Sequence, residues 1–169
     1  MRKKLTIAVS ILLVLSSCGI YKFTDTGGMD FSKIKTVKIN FIENKASYVN
    51  PQLAPKFTEK IQQKILTGTK LTRTQNDDAG MVISGTIINY DPTQTVSISA
   101  QQATVNRLTV TLKMSVRRNY ENGATEEFNV SRSFDFPATQ SLQAAEGNLL
   151  EEVVRTLTDE IFNHIFSNW

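Results

Sequence analysis

Apolar and polar residues alternate most regularly between Arg107 and Arg117. Leu108, Val110, Leu112, Met114 and Val116 share one parity, and Arg107, Thr109, Thr111, Lys113, Ser115 and Arg117 share the other. This period of two predicts a strand with one face on a core and one in water. Asn122-Gly123 predicts a tight turn, and Phe128, Val130 and Phe134 keep one parity in a returning antiparallel strand closed by Pro137. Upstream, Val37, Ile39 and Phe41 predict a first strand over Thr36 to Ile42, with all three rings and branches on the core side. Asn50-Pro51 reads as a helix start. Leu53, Phe57, Ile61 and Ile65, four residues apart, then predict a helix that Gly68 ends.

Leu71 to Gln75 predicts a short strand, Asn76 to Gly80 a turn, and Met81 to Tyr90 a longer strand. In that strand Met81, Ile83 and Ile87 have one parity while Val82, Ile88 and Tyr90 have the other. A strand apolar on both faces is usually covered on both sides. The stretch from Asp91 to Thr104 holds Val96 and Ile98 among Thr, Gln, Ser and Ala, and either extends the strand or forms a long hairpin loop. From Thr139 or Ser141, the stripe Leu142, Leu149, Val153, Leu157, Ile161 and Ile165 predicts a second, long helix. Gly147 inside it implies a close packing contact, since glycine there costs about 1 kcal/mol against alanine. The order β-α-β-β-β-β-α predicts an α/β two-layer sandwich, with two helices packed on one face of a mixed four- to five-stranded sheet.

The first residues follow a different grammar. Met1-Arg2-Lys3-Lys4 leads into the apolar run Leu5 to Leu15 and then Leu15-Ser16-Ser17-Cys18, which resembles a bacterial lipobox. Residues 1–17 are expected to be a cleaved lipoprotein signal peptide, with Cys18 as the site of lipid attachment. Cys18 is the only cysteine, so lipidation gives the single thiol a use and no internal disulfide is possible. Residues 18–33 read as a tether and 34–169 as one domain. Cleavage changes the charge as well. The chain carries 19 basic and 16 acidic residues for a net +3, but Arg2, Lys3 and Lys4 leave with the leader and no acid does. A near-neutral mature protein does not support nucleic-acid binding on charge grounds.

Catalytic chemistry is sparse. His164 is the only histidine, which leaves neither a histidine-based metal site nor a Ser/His triad, and its place near the end of the last helix suits a structural or dipole role. Asp77-Asp78 falls in a turn, and Glu151-Glu152 point about 100° apart on a helix. No glycine-rich phosphate cradle follows a strand. The pattern therefore favours a non-enzymatic binding or assembly protein. Arg107, Lys113 and Arg117, with threonines and a serine between them, form a cationic, hydroxyl-rich stripe that either meets phosphates or is a solvated strand face.

Cys18-Gly19-Ile20-Tyr21, Val49-Asn50-Pro51, Asn106-Arg107-Leu108-Thr109-Val110, Arg132-Ser133-Phe134, Glu160-Ile161-Phe162-Asn163 and Asn168-Trp169 together resemble the LptE family, in a Bacteroidota-type form. The resemblance spans the mature chain. It implies an outer-membrane lipoprotein that plugs and assists the LptD β-barrel and helps insert lipopolysaccharide into the outer leaflet. It also implies that the sheet face away from the helices lies against barrel wall, with Val82, Ile88, Tyr90, Val96 and Ile98 as barrel-facing candidates. Family members are thought to contact lipopolysaccharide through basic residues near the sheet. This chain departs from the enterobacterial pattern near Asn129, where a lysine is replaced, so Arg107, Lys113 and Arg117 are the lipopolysaccharide candidates on their own charge. No cofactor is expected beyond the covalent diacylglycerol and N-acyl lipid on Cys18. Gly19-Ile20-Tyr21-Lys22 lacks an acidic run, which favours a periplasm-facing protein.

Two other readings stay open. One is an independent periplasmic lipid- or glycan-binding module, marked by a sizeable apolar pocket. The other is a lipid-anchored hydrolase, against which the absence of a second histidine and of a glycine-framed nucleophile both count.

Overall fold

The computed structural model describes residues 31, 33–97 and 104–167. Cys18, the leader and Ile98 lie outside them. The chain forms β1 (Thr36–Ile39), β2 (Glu43–Asn44), α1 (Leu53–Gly68), β3 (Thr72–Arg73), β4 (Met81–Ser97), β5 (Thr104–Arg118), β6 (Ala124–Pro137) and α2 (Leu142–Phe166). The sheet runs β3-β1-β4-β5-β6, with β2 also beside β4. β1 and β2 lie parallel to β4, and β4, β5 and β6 form an antiparallel meander. This is the expected two-layer α/β sandwich with one short strand, β2, added. The stretch after Tyr90 extends the strand, carrying β4 to Ser97.

Both helices pack on one face. Leu108, Val110, Leu112, Met114 and Val116 are all 0% exposed, so the core parity of β5 is completely covered. Phe57, Ile61 and Ile65 of α1 and Val153, Leu157 and Ile161 of α2 meet it from above. Each such side chain contributes on the order of 1.5–3 kcal/mol by leaving water. Gly85 of β4 lies opposite Met114 on this face, where a Cβ would come within 2.7 Å of both Ile42 and Met114. The missing side chain lets those two close over the strand. Ser141 caps α2, its Oγ accepting from the Ala144 amide. At the start of α1, Asn50 Oδ1 accepts from the Gln52 amide, and helical geometry begins at Leu53.

Three expectations are corrected. Phe41 is 60% exposed rather than core, because β1 pairs with β4 at one offset (Val37 with Met81) and β2 at another (Glu43 with Thr86). One extra residue between them turns Ile42 inward in its place. Tyr90 does not face away from the helices. The β4–β5 register shifts between Ile87 and Asn89, so Ile88 is an inserted residue and Tyr90 returns to the core parity opposite Val110. Gly147 makes no close contact: among the described residues a Cβ there would meet nothing within 4 Å.

The two ends of the sandwich differ. At one, Phe31 stacks on Phe166, with ring centroids 6.4 Å apart, and Ile34 is buried beside Gly80. His164 lies there too, stacked on Phe128 and bonded to Glu126, which also accepts from Arg118. Those partners hold the Glu126 carboxyl below the usual carboxylate range, Arg118 most strongly. At the other end stand the first turns of both helices and the outer part of the β4–β5 hairpin.

Candidate functional site

The helices leave the second face of the sheet open, and the polar parity of each strand collects there. The register places Arg107 opposite Asp135, Thr109 opposite Ser133, Thr111 opposite Ser131, and Lys113 opposite Asn129, with Val82 opposite Arg117 on the other side. The side chains join across the strands. Arg107 holds Asp135 in a two-pronged pair, Nε to Oδ1 at 2.6 Å and a terminal nitrogen to Oδ2 at 2.9 Å. The hydroxyls of Thr109 and Ser133 lie 2.9 Å apart and those of Thr111 and Ser131 2.8 Å apart. Lys113 Nζ reaches Glu127 at 2.9 Å, and Asn40 donates to Ser84 at 2.9 Å. At the β1 side, Lys38 Nζ meets Asp77 at 2.5 Å, while Arg117 donates to the Asp77 backbone carbonyl at 3.2 Å.

These pairs set the electrostatics. The hydrogen bond and charge of Arg107 hold Asp135 below its ordinary pKa, and Asp135 in turn raises that of Arg107. Lys38 does the same to Asp77. The stripe of Arg107, Lys113 and Arg117 is therefore interleaved with acids. A phosphate approaching Arg107 must displace a bidentate carboxylate, and one approaching Lys113 must displace Glu127. Arg117 makes no salt bridge among the described residues, although its charge also helps lower the Asp77 carboxyl, and of the three it is the least tightly paired with a carboxylate.

The five barrel-facing candidates separate. Val82 lies on the open face but is nearly buried, at 8% exposure, and Ile88 stands out from its bulge at 43%. Tyr90 is on the helix side. The Val96 side chain and Ile98 fall outside the described residues. Apart from Val82, Ile88 and the nearby Phe41, the open face is polar, and many of its side chains pair across the strands. Sequence parity did not show Asp135, Glu127, Ser131 and Ser133 as partners of the stripe. Counting outward from a two-residue Asn122-Gly123 turn would have missed them, because a 3-10 turn over Asn119–Glu121 precedes the two positive-φ residues (55° and 75°) and the register starts at Arg118 opposite Ala124. Arg132, one residue off this parity, joins the helix side instead, its Nε 2.7 Å from Glu160 of α2. Among the described residues no group of three or more His, Cys, Asp or Glu gathers as a metal site.

Fold and site define a class, the small α/β sandwich that covers one sheet face with its own two helices and leaves the other open and polar. The sequence matches the profile of the LptE family, described as lipopolysaccharide-assembly, over residues 34–165, and the chain belongs to that family. No curated protein sequence matches it. Among solved structures it is similar to the PelC dodecamer from Paraburkholderia phytofirmans, at 13% identity and a TM-score of 0.50, covering 81% of this chain and 92% of that one. It is also similar to a putative neuraminyllactose-binding hemagglutinin homolog from Helicobacter pylori, at 9% identity and a TM-score of 0.54, covering 86% and 87%. At such identities the likeness concerns the fold.

Proposed function

We propose that this protein is an outer-membrane lipoprotein, anchored through Cys18 after removal of residues 1–17, that seats its open sheet face inside a large LptD-like β-barrel and assists lipopolysaccharide insertion. Residues 18–33 are the tether and 34–169 the single folded domain. Membership in a lipopolysaccharide-assembly family supplies the setting, and the observation that carries the reading is the open polar face itself. The interiors of large outer-membrane barrels are polar, and a ladder of threonine, serine and charge pairs suits such a wall and its bridging waters. The sequence had suggested an apolar seat on the doubly apolar reading of β4. With Tyr90 on the other side, the complementarity proposed here is polar, with Ile88 and Val82 as its apolar spots. Arg117, ahead of Arg107 and Lys113, is the proposed contact for lipopolysaccharide phosphates.

Co-purification of the lipidated protein from detergent extracts tests the seat. A large barrel should accompany the wild type, and Thr109→Arg with Thr111→Arg should release it while the domain stays folded. Recovery of the wild type free of any barrel would refute the reading. Depletion should reduce surface lipopolysaccharide, and unaltered delivery would remove the function.

A further inference from the structure

At the end of the molecule away from Phe31, a cleft of about 510 Å³ opens between the first turns of the two helices and the segment leading into α1. Tyr48, Asn50, Lys56, Glu146, Gly147 and Glu151 are among its walls. Its size is that of a small-molecule site.

One wall is a fixed aromatic plane. The Tyr48 ring lies almost flat on Tyr90, with centroids 5.5 Å apart and planes 14° from parallel, and Tyr48 is still 37% exposed. Tyr90 is itself locked, its hydroxyl donating to Glu146 Oε1 at 2.7 Å. Burial, and then the neighbouring Glu146, push the Tyr90 phenol far up, so it remains a donor at any physiological pH. The bulge at Ile88 creates this arrangement, because it turns Tyr90 toward α2. The other walls carry polar groups. Asn50 is 8% exposed and fixed by its bond to the Gln52 amide, and Lys56 and Glu151 stand 4.0 Å apart at the rim. Gly147 leaves a gap in the α2 wall.

We propose that this cleft binds an uncharged pyranose ring of a glycan. A pyranose presents a face of C–H groups, which packs on an aromatic ring, and a rim of hydroxyls, which pair with amides, carboxylates and ammonium groups. Two carboxylates against one lysine disfavour a phosphate. The inference stands apart from the barrel seat, which uses the opposite side of the sheet. Two sources share this chemistry, the saccharide part of lipopolysaccharide and the amino-sugar glycan of the cell wall.

The test titrates the full chain in detergent with a neutral outer-core oligosaccharide freed of acidic sugars and phosphate, with a trimer of N-acetylglucosamine, and with phosphorylated lipid A disaccharide, following backbone amide shifts by NMR. Saturable shifts around Tyr48 and Gly147 with either uncharged glycan are expected, and the one that binds identifies the source. Tyr48→Ala should weaken binding about tenfold or more. Because that change also removes a stacking partner of Tyr90, Gly147→Leu is the companion variant. It fills the gap without touching the core and should abolish binding in a folded protein. No saturable shift with either glycan, binding of the phosphorylated disaccharide alone, or unchanged affinity in Gly147→Leu would each overturn the proposal, and none of these outcomes bears on barrel co-purification.

Discussion

The two faces of β5 are built from the same eleven residues and behave as different materials. On the helix side Leu108 to Val116 is wholly buried, whereas on the open side Arg107 to Arg117 is a run of cross-strand hydrogen bonds reached by water. The first face supplies stability through area and shape. The second adds little stability and a great deal of chemical pattern, as a surface kept for another molecule would. If that division holds, substitutions of similar size one residue apart should differ severalfold in their effect on folding.

Leu112→Ala should show the largest loss, about 2–5 kcal/mol, because it removes buried area and leaves a cavity. Urea unfolding measures it, and a loss below 1 kcal/mol would mean that the helix face is loosely packed. Gly85→Val should follow at about 1–3 kcal/mol from overpacking against Ile42 and Met114. Ser141→Ala removes the cap of α2 and should cost about 1 kcal/mol. Thr111→Ala, next to Leu112 but on the open face, should cost only about 0.2–1 kcal/mol.

The smallest effect separates the faces by pH. Asp135 and Asp77 are held below their ordinary pKa by Arg107 and Lys38, so their contribution is present above the unfolded carboxylate value near 3.9. It is lost as pH falls through their depressed folded values. Denaturation midpoints measured between pH 5 and 2 should therefore fall less steeply in Asp135→Asn than in the wild type. A parallel decline in both would show that the Arg107 pair adds nothing, as many exposed pairs do.

Much of this architecture was legible wherever the period ran unbroken. The five alternating apolar residues of β5 and the stripe from Leu149 to Ile165 placed a strand and a helix correctly, and the Asn122-Gly123 turn placed β6. What escaped was each point where one extra residue shifts the phase. An inserted residue exchanges faces for everything after it, and nothing local distinguishes Ile87-Ile88 in a bulge from two isoleucines on opposite faces. The doubly apolar look of β4 arose largely from that insertion, and so did the misplacement of Tyr90. Phe41 is the same case between β1 and β2. At the open face, charge alone marked Arg107, Lys113 and Arg117, but their neutralising partners required the register of β6.

The stacking of Phe31 on Phe166 gives the molecule a polarity of position. It fixes the entry of the chain at one end of β5, a strand of 15 residues and so about 50 Å long. On the proposed anchoring through Cys18, the Phe31 end is the one joined to the tether, and the Tyr48 cleft lies toward the far end of that length. A bilayer with its headgroups is about 40–45 Å thick. The sandwich is thus comparable in length with a bilayer, and Phe31 marks the end from which that length is counted.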